Sequence, residues 1–391
     1  MNEPEEEETE GEAAEGQPGP TQNVRADEEE EEEEEPEPLL KNDVLKAQLK
    51  RYIDLGGMLL TSADAGNAAF TREIEDLMEE LYPQYRFEPV DPDDDLYGMV
   101  FKVNGRRLPL QSIHNGIRHL VVHSSRDLSL DFQMSQTRDL SPWQFMANAY
   151  YYATEKGRIR AKLEKHFEER SASVLPKGKA VVGRGKYDGN WNPEPLAWEM
   201  QGNFMYNHNL TEVEVEPVEL AEMGDANVSM VHVTGTDAVE FTDEQFAGLT
   251  SYIGNGGVVL FEAAGGKLDF ADSIVAELRK AYPDKSVRPI SLEHPVIKGA
   301  YDMSEVDYRI FAVFRMGRIT TPRLQAILFD NEPRVLISYE DMTEGMLDQP
   351  VWGVFGYSSE SARKLMANIA LWASEISPIK EQTEQSDEGQ P

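Results

Sequence analysis

Cysteine is absent from all 391 residues, which excludes disulfides, thiolate metal sites and a cysteine nucleophile. The redox compartment stays undecided on that count. Long apolar runs are missing as well. No stretch approaches the roughly 18 apolar residues that a membrane-spanning helix needs, so no membrane insertion is expected. The opening MNEPEEEETE has no basic segment followed by an apolar one, and nothing in it directs secretion. The expected location is the cytoplasm, or the envelope if the true N-terminus lies upstream. Bases are scarce: 37 Lys and Arg face 72 Asp and Glu, a net charge of −35. Such a surface repels nucleic acid and anionic membranes, so no nucleic-acid partner is expected.

What is present is unevenly placed. Residues 1–38 hold 18 acidic residues against one base, Arg25. The run Glu28 to Glu35 has nothing apolar to bury and repels itself, which predicts a disordered acidic tail. Two roles fit it, a solvating tail or an attachment for a basic partner or cations. Residues 376–391 read as a second, polar tail. The intervening chain is apolar enough for two ordinary domains with real cores.

An internal repeat organises that chain. Residues 49–57 read LKRYIDLGG and residues 249–257 read LTSYIGNGG, an offset of 200. At the same offset stand Gly57 and Gly257, Phe70 and Phe270, Ile74 and Ile274, Tyr82-Pro83 and Tyr282-Pro283. Each Gly-Gly leads into an apolar strand, a small-residue loop and an amphipathic helix. In the first of these helices Ile74, Leu77, Met78 and Leu81 fall at i, i+3, i+4 and i+7. Asn115-Gly116 is a strong hairpin signal, and two apolar runs around Asp330 to Pro333 match it. Both copies close on a helix containing Met-Ala-Asn, at Met146 to Asn148 and Met366 to Asn368.

The second copy has an extra beginning. Lys179 to Val182 predicts a strand, followed by a helix with Asn192 as N-cap and Pro193 at N1. Thr211 to Leu220 and Val228 to Val233 predict two more strands, and Thr242-Asp243-Glu244 opens a helix. Strands alternating with helices imply an α/β fold, a mainly parallel sheet covered on both faces with an antiparallel edge hairpin, in two tandem copies of which the first is truncated. The boundaries expected are 39–154 for the partial domain, 155–177 for a charged helical linker, and 178–375 for the complete domain.

Ligands of open α/β sheets sit beyond the carboxyl ends of the strands, and that position selects the candidates. Glu262 with Gly265 and Gly266 forms a glycine-rich turn before a helix, suited to an anion or simply to a tight turn. His294 and Asp341 fit a base with its orienting acid, but the first copy has Asp94 where the second has His294. Asp127 and Asp341 recur in both copies, as acid–base groups or as caps. Tyr187, Trp191 and Trp198 suit stacking on a sugar or planar ligand, or core packing. Glu340 completes the binding candidates. Asp91, Asp93, Asp94 and Asp95 lack the glycine and terminal glutamate of a calcium loop; no metal site and no cofactor is expected.

The ordered set Val231 to Gly235, Phe241 to Glu244, Tyr252-Ile253, Gly256-Gly257, Phe270, Tyr282-Pro283, His294-Pro295 and Arg334 resembles the bacterial family called domain of unknown function 4159. The resemblance covers about 178–374, and about 43–154 as a truncated copy. It implies a fold similar to class I glutamine amidotransferase-like and ThuA-like domains, a flavodoxin-like doubly wound sheet. It implies no activity. Amidotransferases place a cysteine at a strand–helix elbow; here Glu262 stands in that region, and Ser62 in the first copy. The leading expectation is a non-catalytic binding or scaffolding protein for a protein partner or a small polar, sugar-like ligand. The alternative is a hydrolase or carbohydrate-active enzyme using Glu262, His294 and Asp341.

Overall fold

The computed structural model describes residues 41–159, 167–377 and 379. The acidic tail, the middle of the charged linker and nearly all of the C-terminal tail lie outside them. The chain opens with α1 (Asp43–Asp54), β1 (Leu59–Ser62), α2 (Ala68–Leu81), β2 (Glu88–Pro89), α3 (Asp95–Gly98), β3 (Leu110–His114), β4 (His119–Ser124), α4 (Leu128–Gln133) and α5 (Ser141–Ala153). It continues with β5 (Gly178–Lys186), α6 (Ala197–Asn209), β6 (Thr211–Glu219), β7 (Met230–Gly235), α7 (Asp243–Gly254) and β8 (Val259–Ala263). The last elements are α8 (Leu268–Ala281), β9 (Arg288–Pro289), α9 (Ile310–Met316), β10 (Leu324–Phe329), β11 (Glu332–Ser338), α10 (Thr343–Leu347) and α11 (Ser359–Ile376). The fold is α/β with mixed sheets.

Two sheets result, in the orders β1-β4-β3-β2 and β6-β5-β7-β8-β11-β10-β9. The last four strands of the larger sheet repeat the order of the smaller one. Directions repeat too: β1 is parallel to β4 and β8 to β11, while β3–β4 and β10–β11 are antiparallel hairpins. In the larger sheet, β6, β5, β7, β8 and β11 run parallel. Numbered by chain position, these five strands stand in the order 2-1-3-4-5.

Both faces of the larger sheet are covered, because successive residues of a strand point to opposite sides. Val182, Met230, Leu260 and Leu336 pack with α6 and α11, while their neighbours Val181, Val231, Phe261 and Ile337 pack with α7 and α8. Helix α7 starts on a capping box between Thr242 and Gln245. Its partner on that face, α8, buries Phe270, Ile274 and Leu278, one stripe at i, i+4 and i+8.

The two sheets are joined by a shared apolar cluster. Ala264, Val351, Trp352 and Val354 pack among Ile117, Val122, Phe145 and Tyr152. Trp352 Nε1 donates to Asp95 Oδ2 at 2.8 Å, and Trp352 N to the Tyr152 carbonyl at 2.9 Å.

Two expectations change. No helix follows Asn192 directly: α6 begins at Ala197, with Leu196 as an N-cap that makes no side-chain bond. Residues 193–196 form bends and a turn, closed by Ala197 N donating to the Glu194 carbonyl, while the Glu194 side chain pairs with Arg118. The described ends of the charged linker, 155–159 and 167–170, are turn and coil rather than helix. At its start Glu155 is buried and accepts from Ile310 N, which fixes the N-terminus of α9.

Candidate functional site

The strand order reverses between β5 and β7, and the crevice beyond their carboxyl ends is where sheets of this kind hold ligands. Strand β5 places Arg184 there, and β7 places His232 and Thr234. His232 Nδ1 accepts from Trp198 Nε1 at 3.0 Å and lies 2.6 Å from Arg184 Nη1. Its Nε2 donates to Glu262 Oε2 at 2.9 Å. Glu262 Oε1 accepts from Met342 N and Thr343 N at 2.9 and 2.7 Å. Arg184 Nη2 reaches the Trp191 carbonyl and Thr234 Oγ1 at 3.0 and 2.8 Å. His232 and Glu262 are fully buried.

The electrostatics follow from burial and pairing. Burial and the neighbouring Arg184 hold His232 below its usual range, so it stays neutral with its proton on Nε2. Burial opposes the charge of Glu262, but the His232 hydrogen bond and the two loop amides prevail and hold it below the usual carboxylate range. Burial brings Arg184 down to about 10, which leaves it charged. Every lone pair and proton of the imidazole is therefore engaged, and none is free to act as a general base.

The mouth of this crevice is filled by the chain itself. The β3–β4 turn, Asn115 to Arg118, inserts between the loop after β5 and the loop after β7. Arg118 is 1% exposed and makes a two-pronged ion pair with Glu194, Nε to Oε1 at 2.8 Å and Nη2 to Oε2 at 2.9 Å. Asn115 Nδ2 donates to Glu194 Oε1 and to the Pro193 carbonyl, and Asn190 Nδ2 donates to the Asn115 carbonyl. Gly116, at φ +91°, lies so close to Thr236 that a Cβ would stand 2.6 Å from its methyl. On its other side Arg118 donates to the carbonyls of Gly57 and Ile53, which ties the turn to its own sheet.

The predicted residues fall into separate places. Glu262 and Asp341 are brought together, both accepting from backbone amides of residues 342–344. Asp341 Oδ2 accepts from Gly265 N at 2.7 Å and its Oδ1 from Glu344 N at 2.9 Å. Asp127 does the same in the smaller sheet, accepting from Ala65 N and Leu130 N, both at 2.8 Å. Both acids are caps. His294 does not join them. It lies beside Glu332, 4.0 Å away at the amino end of β11, whereas Glu262 pairs with Ser338 at the carboxyl end. Six strand residues separate the two, about 20 Å. His294 Nδ1 accepts from Val296 N, as Asp94 Oδ1 accepts from Leu96 N. The histidine and the aspartate thus share one turn-capping role.

Tyr187 and Trp198 are buried, and Tyr187 OH donates to the Thr234 carbonyl. Trp191 is half-buried and gives its carbonyl to Arg184. Gly265 and Gly266, at φ +68° and +70°, make the turn into α8. Together with Glu340 they line a second crevice of about 520 Å³ that stays open at the carboxyl ends of β8 and β11. Among the described residues no group of three His, Asp or Glu is placed to hold a metal ion.

Residues 39–147 and 182–373 match the family described as Domain of unknown function (DUF4159). The chain belongs to that family. Among curated proteins none matches it. The matched segments of this DUF4159 chain carry the residues of both crevices, including Arg118, Glu194, His232, Glu262 and Glu340.

Proposed function

We propose that this DUF4159 protein is a non-catalytic binding and scaffolding protein, built from two tandem copies of one flavodoxin-like, amidotransferase-like unit. The first copy is truncated and serves as the plug of the second. The observation that carries this reading is the Arg118–Glu194 pair, which seats the first copy's hairpin in the crevice where the second would bind a substrate. The 2-1-3-4-5 order is that of flavodoxin-like sheets. The repeated strand order, the matched caps Asp127 and Asp341 and the matched Asn148 and Asn368 support duplication. Each of those asparagines holds the loop before its hairpin, Asn148 through Phe101 and Leu96, Asn368 through Tyr301 and Ile297.

The hydrolase reading needs an imidazole near Glu262 and Asp341 with a free lone pair. His294 is at the far end of the sheet and His232 has none to offer.

Opening the plug tests the proposal. Arg118→Ala is expected to lower stability without giving turnover of nitrophenyl esters, phosphates or glycosides in either protein. Turnover by the wild-type chain, or its appearance in the variant, would overturn the reading.

A further inference from the structure

The open crevice between the starts of α8 and α9 has a composition at odds with the rest of the molecule. In a chain of net charge −35 it gathers Lys267, Arg315 and Arg323, and Glu340 is the one acid on its lining. Phe311, Met316 and Phe355 supply apolar walls.

The start of α8 differs from its counterpart in the smaller sheet. There, Asn67 caps α2 by accepting from Ala69 N and Phe70 N. Here the equivalent residue is Lys267, and no side chain caps the 14-residue helix. A self-satisfied terminus has been replaced by first-turn amides facing a crevice with a cation beside them. Independently, Glu340 is fully buried and neither carboxylate oxygen has a hydrogen-bond donor. Arg323 Nη1 stands 3.0 Å from Oε1 as an ion pair without hydrogen-bond alignment. A buried acid left in that state calls for a hydrogen-bond donor or a proton.

We propose that this crevice binds an oxyanion carried on a flat apolar body, with Lys267, Arg315 and Arg323 around the anion and Phe311 and Phe355 against the body. The ligand draws Arg323 toward itself, and Glu340 takes a proton from solvent in exchange. Burial already places that carboxyl at about 7. The groups facing it are Arg323, Tyr308 and Tyr357, and both phenols stay protonated by burial. Binding therefore tightens as pH falls through about 7. The site depends on the scaffold reading only for its location beside the plug.

Calorimetric titration of the full chain with phenyl phosphate, benzoate and inorganic phosphate tests it. The wild type is expected to bind phenyl phosphate or benzoate more tightly than inorganic phosphate; the stronger of the two assigns the anion as phosphate or carboxylate. Lys267→Asn restores the cap that Asn67 provides in α2, so it should keep its melting temperature while losing at least about tenfold in affinity. The proposal falls if the wild type binds neither aromatic anion, if inorganic phosphate binds as tightly, or if Lys267→Asn leaves affinity unchanged. Catalytic turnover would overturn the scaffold reading and leave these results standing.

Discussion

Single residues in this protein carry their roles through what surrounds them. Glu262, Glu340, Asp341 and Glu344 are four fully buried acids within one corner of the fold, yet they divide into two kinds. Glu262 is stabilised as an anion by His232 and two amides. Burial pushes Asp341 up to about 7, reinforced by the charge on Glu262, and burial alone puts Glu340 at about 7. A carboxyl raised in this way binds more protons folded than unfolded between about pH 4.5 and 7, so its stabilising contribution declines as pH rises through that window. His232, held low, works in the opposite direction below its usual 6.5. The difference between wild type and Glu340→Gln isolates one group. Urea midpoints are expected to fall less steeply from about pH 5 to about pH 8 in the variant. Identical slopes would show that Glu340 does not titrate there.

Asp127 and Asp341 were legible at this scale as a matched pair, and both alternatives for them, cap or catalyst, had a physical basis. In the structure each accepts from two backbone amides, contacts that sequence cannot show. Arg184 and His232 were not singled out as functional, although the signal was present: Arg184 stands just beyond the apolar run Ala180 to Val182 of its strand, and His232 interrupts the run Met230 to Val233. Their partners come from loops far along the chain, and spacing carries no trace of such contacts.

At the scale of elements, local rules were reliable wherever the structure is local. The capping sequence Thr242-Asp243-Glu244 opens α7, and Thr242→Ala is expected to cost about 1 kcal/mol in urea unfolding, from the loss of one side chain satisfying a helix amide. A change near zero would mean that the cap is replaced by solvent. Both hairpins, the alternating strands and the two repeat-closing helices were readable for the same reason, that period and turn chemistry are short-range. The helix assigned after Asn192 failed through a tertiary demand. Asn192-Pro193 is a good helix start in isolation, but Glu194 pairs with Arg118 from another sheet, and the segment bends and turns until α6 begins at Ala197. At the start of the charged linker, residues 155–159 are turn and coil, where Glu155 turns inward to accept from Ile310 N.

The whole molecule is defined by the seam between its sheets. Arg118 is buried against Glu194 and stands 3.6 Å from the equally buried Glu344, so removing it takes a cation away from two buried acids. Arg118→Ala is expected to cost about 3–5 kcal/mol in equilibrium unfolding, more than any exposed ion pair would. A loss under about 1 kcal/mol would indicate that the hairpin is held by packing alone. The similar segments were visible in sequence, but not the contact between the β3–β4 turn and the larger sheet, because its partners Asn190, Glu194 and Thr236 lie far along the chain. If the plug is structural rather than a lid, it should open only when the whole protein unfolds. Native-state hydrogen exchange reads this directly at the amides of Ile117 and Arg118, both donated to Asn115 Oδ1 at 2.9 Å. Exchange of these two amides at the free energy of global unfolding is the predicted result. Exchange through a low-energy opening that leaves the core of the larger sheet protected would contradict the account and make the hairpin a gate.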